Sequence, residues 1–202
     1  MNILFVRHGK DSDQHRGGWS QLDLLPEGKR EAKTLADYLV QHKEDYHFTK
    51  MITSDLKRAE TTATILAEVL QLPLEKESSL RETNNGDLAG MLNSEADQKF
   101  PRLYFRSLAM DKHYPNGESP REFYQRIKTW FQRFLQENDD SDETQIVVTH
   151  GGVINIIYHL VNQIEWTNKS NLFHVKHCSI SLLNTKTLAF EVENQTDFLE
   201  EK

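Results

Sequence analysis

Two histidines of this 202-residue sequence stand directly after apolar runs and directly before glycine. The first is Arg7-His8-Gly9, behind Ile3-Leu4-Phe5-Val6. The second is Thr149-His150-Gly151-Gly152, behind Gln145-Ile146-Val147-Val148. Glycine after each histidine lets the backbone come close to a ligand and present free N–H donors. A third apolar run, Met51-Ile52-Thr53, leads into Ser54-Asp55-Leu56-Lys57-Arg58-Ala59. There a helical pattern begins, so Arg58 falls in a helix's first turn, an end that attracts anions. Two arginines, two histidines and a helix end suit one task, which is to hold a small dianion, most naturally phosphate. Arg7 and Arg58 disfavour a further positive charge beside them, so His8 is expected to stay neutral. The arginines supply the electrostatic stabilisation, and the scheme calls for neither metal nor cofactor.

The elements that must position these groups alternate between strand and helix. Ile3–Val6 reads as a strand buried on both faces. A polar loop from Lys10 to Pro26 precedes a helix from Glu27 to about Lys43, with Ala32, Leu35, Ala36 and Leu39 on one stripe. Met51–Thr53 is a weak strand, and Lys57–Leu70 a helix closed by Pro73. Ser119-Pro120-Arg121-Glu122 forms a capping box with proline at the first helical position, ahead of the apolar face Phe123, Ile127, Trp130, Phe131 and Phe134. Gln145–Val148 is a strand and Gly152–Val161 a helix; Cys178–Asn184 and Leu188–Glu193 are two strands around a turn. This order implies an α/β sandwich on a mostly parallel sheet, in which ligands bind at the carboxyl ends of the strands. Residues 91–118 carry the weakest pattern and are expected to be an insertion over one end of the sheet. The acidic run from Glu137 to Glu143 is expected to be a solvated loop.

Composition narrows the partners. With 24 Lys+Arg against 31 Asp+Glu the net charge is −7, which argues against nucleic acid or an anionic membrane as partner. No apolar run nears the length of a membrane span, and the first residues lack the basic region of a signal peptide. The single cysteine, Cys178, cannot form an internal disulfide. A cytoplasmic protein is expected. Of the nine histidines, His15, His42, His47, His113 and His159 are expected at the surface or in loops. His174 and His177 have ligand-like spacing but no evident third ligand, so no metal site is expected. Arg102 and Arg106, one helical turn apart, read as a solvated face; if residues 91–118 cover the pocket, they could meet a second anionic group instead.

Taken in order, these segments resemble the histidine phosphatase superfamily, also called the phosphoglycerate mutase-like family, from residue 2 to about residue 190. Arg7-His8-Gly9 matches its signature, and Gly18-Trp19 with Leu24-Leu25-Pro26-Glu27-Gly28 resembles the following loop and helix start. Ser54–Ala59 with Thr62-Ala63 matches the second arginine motif. Leu80-Arg81-Glu82 with Gly86 and Gly90 resembles the acid-bearing loop, and Gly117-Glu118-Ser119 with Arg126 precedes Thr149-His150-Gly151-Gly152. The resemblance implies a single domain over 1–202, built as a three-layer α/β/α sandwich, with residues 91–118 as an insertion covering the active site. It implies His8 as nucleophile, Glu82 as proton donor, and Arg7, Arg58 and His150 as phosphate ligands, with Gln14 and the Gly151 amide as further donors.

The chain departs from the family pattern at a few positions. Lys10-Asp11 and Gln14 stand where a Glu-Thr pair and an Asn are common, and Leu88-Ala89 replaces a Trp-Glu pair. Asp11 would repel a phosphate oxygen if it pointed inward and is therefore expected to point away. The resemblance implies a metal-independent phosphomonoesterase acting on a small phosphorylated metabolite through a phosphohistidine. Two alternatives stay open: a phosphoglycerate mutase, and a catalytically idle sensor of phospho-ligands. The longer basic segment that mutases carry between the acid loop and the next motif is missing, which favours hydrolysis.

Overall fold

The run Ile3–Val6 forms the core of β1 (Asn2–Arg7), and alternate residues of this strand are buried on opposite faces of one sheet. The remaining strands are β2 (Phe48–Thr53), β3 (Leu74–Lys76), β4 (Thr144–Thr149), β5 (Ile180–Asn184) and β6 (Ala189–Gln195). Their order is β3-β2-β4-β1-β5-β6, parallel from β3 through β1 and antiparallel from β1 to β6. This is a computed structural model, and it describes residues 1–137, 143–170 and 172–199. Most of the acidic run at 137–143 therefore lies outside the described residues.

The helices are α1 (Pro26–Gln41), the single turn α2 (Lys43–Tyr46), α3 (Lys57–Leu70), α4 (Asn93–Lys99), α5 (Pro120–Glu137) and α6 (Gly151–Val161). Two apolar layers separate them from the sheet. Leu4, Val6, Met51, Ile146 and Val148 pack with Leu35, Leu39, Ala63 and Leu66 of α1 and α3. Ile3, Phe5, Ile52 and Val147 face the other way and pack with Phe123, Ile127 and Phe131 of α5 and Ile154 and Ile157 of α6. The result is a three-layer α/β/α sandwich whose central strands are apolar on both faces, as the unbroken runs predict.

Where pattern was strong, the elements match it. The capping box of α5 is closed: the Ser119 amide donates to Glu122 Oε2 at 2.9 Å and the Glu122 amide to Ser119 Oγ at 3.2 Å. Short elements left no periodic signal. β3 has three residues and α2 four, and β2 starts at Phe48, ahead of the apolar Met51–Thr53 run. His159 corrects an expectation: it is fully buried in α6, with Nδ1 2.8 Å from the Asn155 carbonyl and Nε2 2.9 Å from Ser170 Oγ. One-turn backbone contact and a loop hydroxyl satisfy both ring nitrogens, which makes its burial affordable.

Residues 91–118 contain α4 and a 3₁₀ turn at Phe105–Ser107 and form a small core of their own from Ala96, Leu108 and Tyr114 with Leu88. They are laced to the loop after β1. The Arg16 amide donates to the Met91 carbonyl and the Gly90 amide to the Arg16 carbonyl, each at 2.8 Å. Arg16 also pairs with Asp97 at 2.5 Å.

Candidate active site

Strand register brings the predicted residues together. Arg7 pairs with Thr149, and Thr53 with Val148, so β1, β2 and β4 end at one level. The residues that follow, His8, Ser54 and His150, are consequently neighbours. The His8 and His150 rings lie 5.1 Å apart between centroids. This is the carboxyl edge of the parallel strands.

His8 is held in one tautomer. Its Nδ1 is 2.8 Å from the carbonyl of Gly9, an acceptor only, so Nδ1 carries the proton and Nε2 presents a lone pair. That lone pair accepts from Arg58 Nε at 3.2 Å. Burial pushes the His8 pKa well below the usual histidine value, and Arg58, His150 and Arg7 push it the same way. The ring is therefore neutral, as expected. Gly9 fits here because its Cβ position lies 2.4 Å from the Gly28 carbonyl; any side chain would separate the signature loop from α1. Its amide donates to Thr62 Oγ1 of α3 at 3.1 Å.

Arg58 leaves the first turn of α3 almost completely buried, and Nη1 and Nη2 donate to the carbonyls of Ser20 and Gly18 at 3.1 and 2.8 Å. Arg7 donates through Nη1 to the Val175 carbonyl at 2.6 Å, and its buried Nε has no partner among the described residues. His150 Nε2 meets Ser54 Oγ at 2.8 Å, while its buried Nδ1 also has no partner among the described residues. Burial lowers the His150 pKa well below normal, helped by Arg58 and Arg7. An unsatisfied guanidinium donor such as Arg7 Nε is costly in a buried site unless an anionic ligand completes it.

Glu82 sits opposite. Its Oε2 accepts from the Gly152 amide at the start of α6 at 3.0 Å, and Oε1 from its neighbour Thr83 at 3.0 Å. The acid loop is braced from outside. Arg126 of α5 donates to the carbonyls of Ser79, Arg81 and Glu82 while paired with Glu118 at 2.6 Å. Arg81 forks onto Asp55 at 2.6 and 2.5 Å, joining this loop to the end of β2. Thus Glu118 and Asp55 act through the loop they hold, while the Arg126 charge also helps to lower the His150 pKa.

Three residues differ from expectation. Asp11 points inward: Oδ2 is 3.4 Å from Arg58 Nε and Oδ1 3.6 Å from His177 Nε2. Repulsion from a bound anion was the reason to expect otherwise, but a guanidinium and an imidazole offer it stronger attraction. Burial alone would raise its pKa; His177, His8 and Arg58 outweigh that and hold it at about 2. His177 itself, dismissed with His174 for lack of a third ligand, is 2.7 Å from Arg7 Nη2, and its ring is 5.6 Å from His8. It arrives because β5 runs antiparallel to β1, so the segment leading into β5 lies at the end where β1 finishes; the Cys178 amide donates to the Arg7 carbonyl at 3.1 Å. His8, Asp11 and His177 present ligand atoms within 4.8 Å of one another. The guanidiniums of Arg7 and Arg58 press against that trio, so the local charge favours an anion over a divalent cation. Gln14 is exposed, its carbonyl accepting from the Asn93 amide at 2.9 Å, and the structure does not bring its side chain into this group.

A cavity of about 350 Å³ opens beside Arg7, Glu82, Gly151 and Gly152. Its far wall comes from Phe105 and Arg106 of the 91–118 segment and from Trp166, Phe173 and His174. Arg106 therefore faces a ligand space, whereas Arg102 is exposed and does not line it. Burial pushes the Cys178 thiol pKa up, so this cysteine behind the site is inert as a nucleophile.

Known proteins resemble this chain in sequence and in fold. The chain is 34% identical over 163 residues to phosphoglycerate mutase-like protein 4 of Arabidopsis thaliana, covering 77% of this chain and 69% of that protein. It is 30% identical over 156 residues to phosphoserine phosphatase 1 of Hydrogenobacter thermophilus, covering 74% and 71%. The fold matches the α-ribazole phosphatase of Shigella flexneri with a TM-score of 0.80 at 24% identity, covering 96% of each chain. No helix among the described residues is long and apolar enough to cross a membrane. The model of the histidine phosphatase superfamily (branch 1) matches residues 3–197, and the chain belongs to that family.

Proposed function

We propose that the protein is a metal-independent phosphomonoesterase that hydrolyses a small phosphate ester through a phosphohistidine on His8. The observation that carries this reading is the His8 ring, neutral, with Nδ1 tied to the Gly9 carbonyl and Nε2 turned to the Arg58 guanidinium. A phosphoryl group bound by Arg58, Arg7 and His150 would present phosphorus to that lone pair.

In the first step Nε2 bonds to phosphorus as the ester P–O bond breaks, and the leaving oxygen takes a proton from Glu82. In the second, water attacks phosphorus and gives a proton to the Glu82 carboxylate. The P–N bond then breaks, and free imidazole and inorganic phosphate result. The Arg7 Nε–H and His150 Nδ1 have no partner among the described residues, which supports their use by a ligand. The Gly151 amide at the start of α6 adds a further donor to the phosphate side.

The leaving alcohol would occupy the cavity beside Glu82. Phe105 and Arg106 on its wall support residues 91–118 as an insertion over the site of a single 1–202 domain. Arg106→Ser is expected to raise KM for esters with a second anionic group and to spare those without one. The net charge of −7 supports a small-molecule partner over nucleic acid or membrane, and the lone cysteine suits the cytoplasm.

A panel of phosphate esters with the purified protein tests the reading. Inorganic phosphate should accumulate one-for-one with substrate loss. Phosphoglycerate isomerisation outrunning hydrolysis by orders of magnitude would transfer the function to a mutase, and no turnover of any ester would favour a sensor.

A further inference from the structure

The Asp11 carboxylate stands among the groups that a phosphoryl oxygen would contact. Its Oδ2 is 3.4 Å from Arg58 Nε, the same nitrogen that lies 3.2 Å from His8 Nε2. Its Oδ1 is 3.6 Å from His177, whose ring nitrogen lies 2.7 Å from Arg7. Asp11 and Glu82 are the acidic side chains whose fields act on Arg58 and act most strongly on Arg7. Two guanidiniums therefore already face two acidic side chains before any anion binds.

We propose that Asp11 is an intramolecular competitor for the phosphate cradle, holding the Arg58 and His177 contacts and yielding them when a phosphoryl group binds. The inference rests on the phosphoryl-transfer reading above. A carboxylate and a phosphate dianion against the same guanidinium repel each other strongly in a site this buried. Binding must therefore either turn Asp11 away, at the cost of its Arg58 contact, or tolerate the repulsion. Both routes weaken the anion's hold.

The competitor is tethered, so it acts at high effective concentration without any added species. The backbone on its amino side is pinned. The Gly9 amide is bonded to Thr62, and the Lys10 amide donates to Glu31 Oε2 at 2.8 Å. On its carboxyl side the Asp13 and Gln14 carbonyls are held by Asn93 at 2.8 and 2.9 Å, so turning out falls to the Asp11 side chain itself, beside exposed neighbours. With its pKa held at about 2, Asp11 stays ionised throughout the neutral range, so the competition is always present. Its benefit to a hydrolase is release of product. Inorganic phosphate carries the same dianion as the substrate and would otherwise rest in a cradle of two arginines.

Inorganic phosphate titrated calorimetrically into the wild type, Asp11→Asn and Asp11→Ser tests this, with a thermal melt of each protein with and without phosphate. Asn keeps the shape and removes the charge; Ser removes both, guarding against a fold defect peculiar to Asn. Both variants should bind phosphate about tenfold more tightly or better, gain more thermal stability from it, and show a lower KM with kcat equal or reduced. Phosphate affinity unchanged or weakened in either folded variant overturns the competitor role and leaves the phosphohydrolase reading intact. If wild type and variants alike neither bind phosphate nor turn over an ester, the phosphoryl-transfer reading falls, and this inference with it.

Discussion

The carboxylate of Glu82 rests on the backbone of Gly152: Oε2 accepts the amide at 3.0 Å, and Oε1 lies 2.3 Å from where a Cβ on that residue would be. A helix N-terminus thus aims the acid, and the glycine leaves space for it to be aimed. Gly152→Ala should leave the fold nearly unchanged, because only the free end of a side chain needs to move. The displaced carboxylate should lower turnover of an alkyl ester by roughly 10²-fold, the scale of a 1 Å misplacement. A melting temperature close to wild type beside that loss is the expected pair of results; full activity would mean the Glu82–Gly152 contact does not position the acid.

Glu82→Gln separates leaving-group protonation from the rest of the chemistry. General acid–base catalysis contributes about 10²–10⁴-fold, and that loss is expected in forming phosphoenzyme from an alkyl ester. A nitrophenolate departs without a proton, so the nitrophenyl ester should be phosphorylated far less slowly. Stopped-flow and quench measurements of the two esters give the comparison. Equal slowing of both would remove Glu82 from the role of leaving-group acid.

Replacing His8 tests the proposed covalent transfer directly. His8→Ala is expected to lose at least ~10³-fold in turnover and to take up no phosphoryl group. Acid-free quench followed by mass spectrometry should find the modification of the wild type on His8. Label on a serine or aspartate would refute the mechanism.

The buried rings give the pH dependence a definite sign. Burial, then Arg58, lower the His8 pKa well below the usual 6.5, so the attacking lone pair survives acidification past that value. The acid limb of kcat/KM that reports His8 should therefore fall below pH 6.5. Stability should behave differently. The unfolded chain takes up protons near pH 6.5 that the folded His8 and His150 refuse, so stability is present above that pH and declines as pH falls below it. Denaturant titrations between pH 8 and 5 should show the decline, and His150→Asn, where folded, should flatten it.

Chelation offers a direct check on how the charge is handled. Arg7 and Arg58 supply the positive charge at the site, so exhaustive treatment with a chelator should leave the hydrolysis rate within experimental error. Activity lost to chelator and restored by a divalent ion would overturn metal independence.

Much of this protein was legible in its sequence because the informative signals were local. Ile3–Val6 and Gln145–Val148 announce strands by composition alone, and His8 and His150 follow them directly, so register needed only to be parallel for the two to meet. The capping box at Ser119 and the apolar stripes of α1, α3 and α5 were equally self-contained. The inward turn of Asp11 was not, because it depends on Arg58, brought beside it by the folded chain, and on His177, which is remote in sequence. His177 reaches the site only because β5 pairs antiparallel with β1. Nothing in the neighbourhood of residue 177 encodes that pairing. The burial of His159, the bracing of the acid loop by Arg126 and the place of Arg106 on the cavity wall are of the same kind. Side-chain type and spacing determined which chemistry was possible here. Contacts between remote segments decided which charges share the site, because that balance depends on distances only the packed chain defines.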